Sequence, residues 1–401
     1  MTRSGVAEFR SPVDLFPPEG RLGASLFWIK YGLLHSMLLP VVLFQQIVSL
    51  LFRIYVALFI RGRLVEAFQG DLKFKYLSFW QSFLTDILFD ERFILTVYKG
   101  AIIDPGPRTA RHEVEAFCSQ LRSNEDLNLR VLCSHFHEEH VGNAAFIGKL
   151  LGIPVYGTER TLFEIRSPSS LPWYRDFLMG EVQAANQDAD LRVLPPRIHV
   201  GDSELVVLDS PGHCIGHASF YDPERRILFA GDSFMGEIFT APNEDFVPAD
   251  LMQTLVQYQH LDVDVLVEAH GKVYTMNPEV PHVPHLVVRR EPREAIIAKM
   301  RFLTWAKEAV SYGRRQGFSY GVIERCLFSW RQRWPRDNWL IDQLAKELSG
   351  GDFSRSQFVR RLAAGLQLSS NEKCNVKSEM VSAKCTGEDT GDWGCGDLEF
   401  R

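Results

Sequence analysis

Apolar and polar positions divide this 401-residue chain into regions of different period. From Leu26 to Ile60 the residues are almost wholly apolar. Within that run, 22 uncharged residues separate Lys30 from Arg53, reading YGLLHSMLLPVVLFQQIVSLLF. As a helix this is long enough to span a bilayer. Pro40 is expected to interrupt it, and on a helical wheel His35, Gln45, Gln46, Ser49 and Arg53 share an arc of about 100°. That polar stripe favours an interfacial or lid helix over a plain span, with a transmembrane anchor and helices packed on the following domain as the other readings. In the interfacial reading Leu33, Val41, Leu43 and Leu51 meet lipid or cover a substrate entrance. A contact between copies of the chain is a further use for such a surface.

From about Phe79 to Lys272, short apolar runs alternate with Gly, Pro and Asp turns and with helical stretches, which is an α/β or α+β pattern. RFILTVYKGAIIDPG, Arg92 to Gly106, predicts two strands joined at Lys99 and Gly100. LRVLCSHFHEEH predicts a buried strand that delivers histidines at its carboxyl end. SELVVLDSPGHCIGHASFYDPERRILFAGDS gives three more strands, and DVLVEAHGK another. From Pro284 to Gly365 the pattern turns helical and basic, with 16 Lys or Arg against 8 Asp or Glu between Arg289 and Arg361. After Leu368 too few large apolar residues remain to build a core, which predicts a disordered tail. The expected organisation is an apolar helical segment over 1–75, a catalytic domain over 76–285, a basic helical extension over 286–368 and a tail over 369–401. No repeat of solenoid or propeller period is present.

Charge excludes little but is informative. With 44 Lys plus Arg against 50 Asp plus Glu, the net charge is −6, so no global field argues for nucleic acid. Seven singly scattered cysteines form no disulfide framework and suit a reduced compartment. The opening residues, with two acids before any apolar run, do not read as a secretory signal. The expected place is the cytoplasm, or the inner face of a membrane.

The chemistry concentrates in CSHFHEEHVGN, Cys133 to Asn143, where three of the chain's 12 histidines lie within six positions. Imidazoles spaced i, i+2 and i+5 cannot share one helical face, so they belong at a strand end and the loop leaving it. His213, His217, Asp232 and His270 fall at three further predicted strand ends. Four strand ends finishing in metal-competent side chains exceed what a packed core requires.

These motifs resemble those of the metallo-β-lactamase superfamily of metallohydrolases over roughly residues 80 to 290. The family's His-x-His-x-Asp-His pattern is matched by His135, His137, Glu139 and His140, with Glu139 at the aspartate position. SPGHCIGH matches the turn bearing the next histidine, His213. LFAGDS matches the strand ending in the bridging aspartate, Asp232, and EAHGK places the last histidine at His270. IIDPG puts the early aspartate at Asp104. The resemblance implies an αββα sandwich with its site along one edge. It also implies two divalent ions, zinc first and iron or manganese as alternatives: His135, His137 and His213 on one, His140 and His270 on the other, Asp232 bridging. Asp104 is expected to orient a ligand imidazole, and His217 to support the site without ligating.

Three imidazoles around one ion leave a position open for water, whose pKa the metal brings to about 7. The expected activity is hydrolysis of an ester, thioester, lactone or related acyl bond in an apolar small molecule, with Asp232 and Glu139 at the chemistry. An iron-dependent oxygenase on the same fold, a phosphodiesterase and a non-catalytic scaffold are the alternatives. Glu139 carries one methylene more than the aspartate it replaces, so either the loop retracts and it still ligates, or the second ion is weakened or exchanged. Glu138 is expected to be solvated or to lie behind the ligands, and Cys133 and Cys214 to be buried fillers.

Overall fold

The computed structural model describes residues 11–17, 21–88, 92–122, 128–187, 189–237, 245–328, 346–349, 351 and 354–365, with only part of the side chains over 21–45. Two seven-stranded sheets carry the structure, each laid out in simple sequence order. The first holds β1 (Leu64–Ala67), β2 (Leu72–Tyr76), β3 (Ile94–Tyr98), β4 (Ala101–Ile103), β5 (Arg130–Leu132), β6 (Val155–Gly157) and β7 (Leu191–Val193). The second holds β8 (Arg197–Val200), β9 (Ser203–Asp209), β10 (Ala218–Asp222), β11 (Ile227–Gly231), β12 (Val265–Glu268), β13 (Val273–Thr275) and β14 (Val287–Val288). Every strand foreseen around the histidines is present.

Pairing is antiparallel from β1 to β4 and parallel from β4 to β7. In the second sheet β11 and β12 run parallel, flanked by antiparallel neighbours. Parallel strands need helical crossovers, and these cover the outer faces. Three apolar clusters result. One lies between the sheets and includes Phe74, Tyr98, Phe220 and Phe229. A second packs helices 111–122 and 144–151 on the first sheet through Val114, Cys118 and Ile147. The third seats helices Pro248–Gln259 and Pro292–Arg315 on the second sheet through Leu255, Tyr258, Phe302 and Ala306. The order helix, sheet, sheet, helix is the predicted sandwich. Across its middle the Tyr98 hydroxyl donates to Asp222 Oδ2 at 2.5 Å, joining β3 to β10.

The amino-terminal segment differs from expectation in two respects. Residues 64–75, expected within the helical segment over 1–75, belong with Tyr76 to β1 and β2, because LVEA and LKFKY alternate at period two and bury alternate positions. And one helix, Arg21–Ile60, runs 40 residues straight through Pro40. A proline removes one amide donor, but strong helix formers such as Leu and Met on both sides hold the remaining ladder. Among the described residues no helix is long and apolar enough to cross a membrane. The side chains of His35 and Gln45, and the whole tail after residue 365, lie outside the described residues.

Candidate metal centre

Each candidate side chain reaches the site from the carboxyl end of a central strand or the turn leaving it. β5 leads into His135 and His137, and the short helix Glu138–Val141 that follows carries Glu139 and His140. The turn after β9 supplies His213, β11 ends beside Asp232, and β12 ends two residues before His270. All are buried. Their ligand atoms form two groups, each within 4.8 Å: His135, His137 and His213 with Cys214, and Glu139, His140, Asp232 and His270.

The nitrogens converge. His137 Nδ1 lies 2.9 Å from His135 Nε2 and 3.1 Å from His213 Nε2. Three nitrogens on a tetrahedral ion at about 2.0–2.1 Å would sit roughly 3.3 Å apart, so a small outward adjustment admits one. Asp232 Oδ2 stands between the groups, 3.2 Å from His270 Nε2, 3.4 Å from both His140 Nε2 and His213 Nε2, and 3.9 Å from His135 Nε2. Asp232 Oδ1 and His140 Nε2 are sealed from solvent without a hydrogen-bond partner among the described residues. Buried polar atoms left in this state are costly, and a cation between them removes the cost.

Surrounding groups fix which nitrogen faces inward. The backbone carbonyl of Arg92 can only accept, so His270 donates Nδ1–H to it at 3.0 Å and presents Nε2. His140 Nδ1 faces Asp104 Oδ2 at 3.2 Å and likewise presents Nε2. Asp104 itself accepts from the Ser134 amide at 2.8 Å and hydroxyl at 2.7 Å, and sits at φ 49°, a conformation a non-glycine residue holds only under tertiary constraint. His217 takes no place in either group. Its Nε2 accepts the Asp232 amide at 3.1 Å while Nδ1 bonds Ser210 Oγ at 2.8 Å, so it holds the strand end that presents Asp232.

Burial, reinforced by neighbouring imidazoles, pushes His135 and His137 well below the ordinary histidine range, and burial brings His213 down to about 3. These three are neutral, as ligation requires. His140 goes the other way: burial would lower it, but Asp232 and Asp104 together raise it well above its usual value. Burial would lift Asp232, yet His270, His140 and His213 hold it well below the carboxylate range. One anion therefore sits at the centre of a ring of imidazoles.

Of the two readings for Glu138, the structure takes the second: it is buried behind the ligands, where Arg175 from helix Trp173–Met179 meets it through Nε and through Nη2 at 2.9 Å. The same Nη2 donates to Glu139 Oε2 at 3.3 Å, while Glu139 Oε1 points inward, 3.9 Å from His137 Nδ1. The longer glutamate is thus drawn aside by a guanidinium and offers one oxygen to the centre. Cys214 is buried as expected, yet its sulfur joins the first histidine group. Burial, with Asp232 next, pushes that thiol well above its ordinary range. No local motif marks Arg175; its place follows only from how its helix packs.

Phe136 sits beside the candidate ligands, its ring centroid 4.8 Å from that of His137. The Arg160 guanidinium stacks 4.9 Å from the Phe136 ring and 5.8 Å from that of Phe163, and Ile215 is 70% exposed.

A family model described as the metallo-beta-lactamase superfamily matches residues 98–270. Hydroxyacylglutathione hydrolase GloC of Haemophilus influenzae is 31% identical over 205 residues, covering 46% of this chain and 86% of that protein. The beta-lactamase-like protein 2 homolog of Caenorhabditis elegans is 26% identical over 205 residues, 50% of this chain and 61% of its own, so the matched stretch spans less than two thirds of that relative. Among solved structures, a beta-lactamase domain protein from Burkholderia ambifaria aligns with a TM-score of 0.49 at 17% identity, over 76% of this chain and 90% of that one.

Proposed function

The chain belongs to the metallo-beta-lactamase superfamily and is a metallohydrolase of that fold, and on that premise we propose that it hydrolyses an acyl thioester of an apolar small molecule. The observation that carries this reading is the pair of ligand groups around Asp232 Oδ2, with partnerless polar atoms facing inward. Relatives named hydroxyacylglutathione hydrolases favour a thioester within the wider acyl class.

In this reading His135, His137 and His213 would hold one divalent ion, and His140, His270, Glu139 and Asp232 would hold a second. Neutral imidazoles with a few carboxylates suit zinc. A divalent ion here supplies an acidified water and a Lewis acid for a carbonyl at neutral pH. The chain's own residues do the rest. Asp232 stays ionised at the centre of the site, and Asp104, His217 and the Arg92 carbonyl keep the ligands aimed. Phe136, packed beside His137, would border the acyl group.

The test is a panel of acyl thioesters, oxygen esters, lactones and bis-nitrophenyl phosphate, read with the purified chain before and after chelation. Thiol release that chelation abolishes and added zinc restores supports the proposal. Phosphodiester cleavage without thiol release, or oxygen consumption in place of hydrolysis, refutes it.

A further inference from the structure

We infer that Ser210, Ser219, Tyr258 and Ser233 form a one-way chain of hydrogen bonds that acts through His217 to set the position of Asp232, with Ser210 and Tyr258 as positioning residues for the metal centre. The inference rests on the reading of the site as a metal centre. All five side chains are fully buried, and they come from separate elements. Ser210 follows β9, Ser219 lies in β10, Ser233 follows β11, and Tyr258 stands near the end of helix Pro248–Gln259. His217 Nδ1 lies 2.8 Å from Ser210 Oγ, which lies 2.8 Å from Ser219 Oγ. The Tyr258 hydroxyl is 2.5 Å from both Ser219 Oγ and Ser233 Oγ, and Ser233 Oγ is 2.5 Å from the Ala230 carbonyl.

Its two ends fix the direction of the chain independently. A backbone amide can only donate, so His217 Nε2, 3.1 Å from the Asp232 amide, carries a lone pair, and the ring proton sits on Nδ1 and is donated to Ser210. At the other end a carbonyl can only accept, so Ser233 donates to Ala230. The close contact of Ser233 with Tyr258 then takes the tyrosine proton, that of Tyr258 with Ser219 takes the Ser219 proton, and Ser210 donates to Ser219. Both directions agree, and every member is paired. The chain leaves from the amide of Asp232 and returns to the carbonyl of Ala230, so it clamps the end of β11 from both sides of Gly231. Ala at the serine positions and Phe at 258 would fill the same space with no polar group to satisfy; a fully paired buried network instead selects one arrangement of its members. Helix Pro248–Gln259 is thereby tied to Asp232 through hydroxyl protons as well as through packing.

Zinc binding is measured by competition with a chelating dye in the full chain and in Ser210→Ala, Tyr258→Phe and Tyr221→Phe, with urea titration of each. Tyr221→Phe is the control: the Tyr221 hydroxyl donates to the Asp262 carbonyl at 2.7 Å, in the same apolar cluster but outside the chain of hydroxyls. Ser210→Ala should weaken zinc binding about tenfold, as loss of a group behind a ligand does. Tyr258→Phe should weaken it less, because Ser219 can turn its proton onto the Ala230 carbonyl at 3.1 Å. Tyr221→Phe should lose stability in urea and keep the parent's zinc affinity. In nitrogen-15 spectra of the parent the His217 signals, identified by their loss in His217→Gln, should show the proton on Nδ1, and Ser210→Ala should shift them. A His217 ring protonated on Nε2, parental zinc affinity in Ser210→Ala, or an equal loss in Tyr221→Phe overturns the proposal. Should Ser210→Ala lose its far-ultraviolet spectrum, Tyr258→Phe against Tyr221→Phe decides in the same way. A parent chain that binds no zinc overturns the metal reading itself, and is told apart from failure of the proposal by that measurement alone.

Discussion

Gly231→Ala offers a test of how the site is held. Gly231 ends β11 at φ +55°, and a Cβ there would lie 2.6 Å from His217 Nε2 and 2.8 Å from His217 Cε1. His217 cannot retreat easily: it is fully buried, and Nδ1 is held by Ser210. Three contributions add. The left-handed backbone costs an L-residue about 1–2 kcal/mol, crowding a packed interior about 1–3, and the bond from the Asp232 amide to His217, if displaced, about 1. The sum, roughly 3–6 kcal/mol, is a large part of an ordinary domain's 5–15. Gly152→Ala separates the contributions, because Gly152 also has a positive φ, +67°, but nothing within 4 Å of its Cβ. Urea titration of both variants should therefore show Gly152→Ala losing only the backbone part and Gly231→Ala losing at least about 2 kcal/mol more. Equal losses would refute the argument that His217 is wedged behind Asp232.

Arg175→Met should weaken binding of the second ion about 10–100-fold, as loss of a group that holds a ligand does, while the ion on His135, His137 and His213 is retained; competition titration with a chelating dye that finds both ions unchanged would show that Arg175 does not set Glu139. Lys299, fully buried on helix Pro292–Arg315, donates to the Gly236 carbonyl at 2.8 Å and that of Met235 at 3.2 Å, and burial lowers its pKa to about 7 despite Glu268. Its folded pKa lies below the unfolded one near 10.5, so the unfolded chain binds more protons between those values and stability rises with pH across that window, up to about 5 kcal/mol in total. The rise should vanish in Lys299→Met, measured by denaturant titration at pH 7 and pH 10; a difference from the parent that does not change with pH would contradict it.

What the sequence made legible is local. Short apolar runs bounded by Gly, Pro and Asp turns marked β3, β4, β5 and β9 to β12, and the family resemblance put His135, His137, His140, His213, Asp232 and His270 at their ends, where the structure brings their side chains together. Asp104 and His217 were legible as supports, since each sits at a strand end next to a ligand. The Arg175 clamp was not, because it joins positions more than thirty residues apart through the packing of a short helix. The stripe of Gln46, Ser49 and Arg53 could be read as a shared face, but period alone does not say which side the protein covers; the bond from Arg53 Nη1 to the Ile87 carbonyl at 2.8 Å decided that. Pro40 misled because a single missing donor is a small loss in so long a helix.

The central claim, two ions joined across Asp232 and required for hydrolysis, is tested most directly by measuring bound metal and thioester turnover on the same preparations of the parent chain and Asp232→Asn. The account predicts two ions per chain in the parent, fewer in the variant, and turnover lower by orders of magnitude with the far-ultraviolet spectrum unchanged. Full turnover in Asp232→Asn, or hydrolysis by a parent chain that holds no metal, would contradict it.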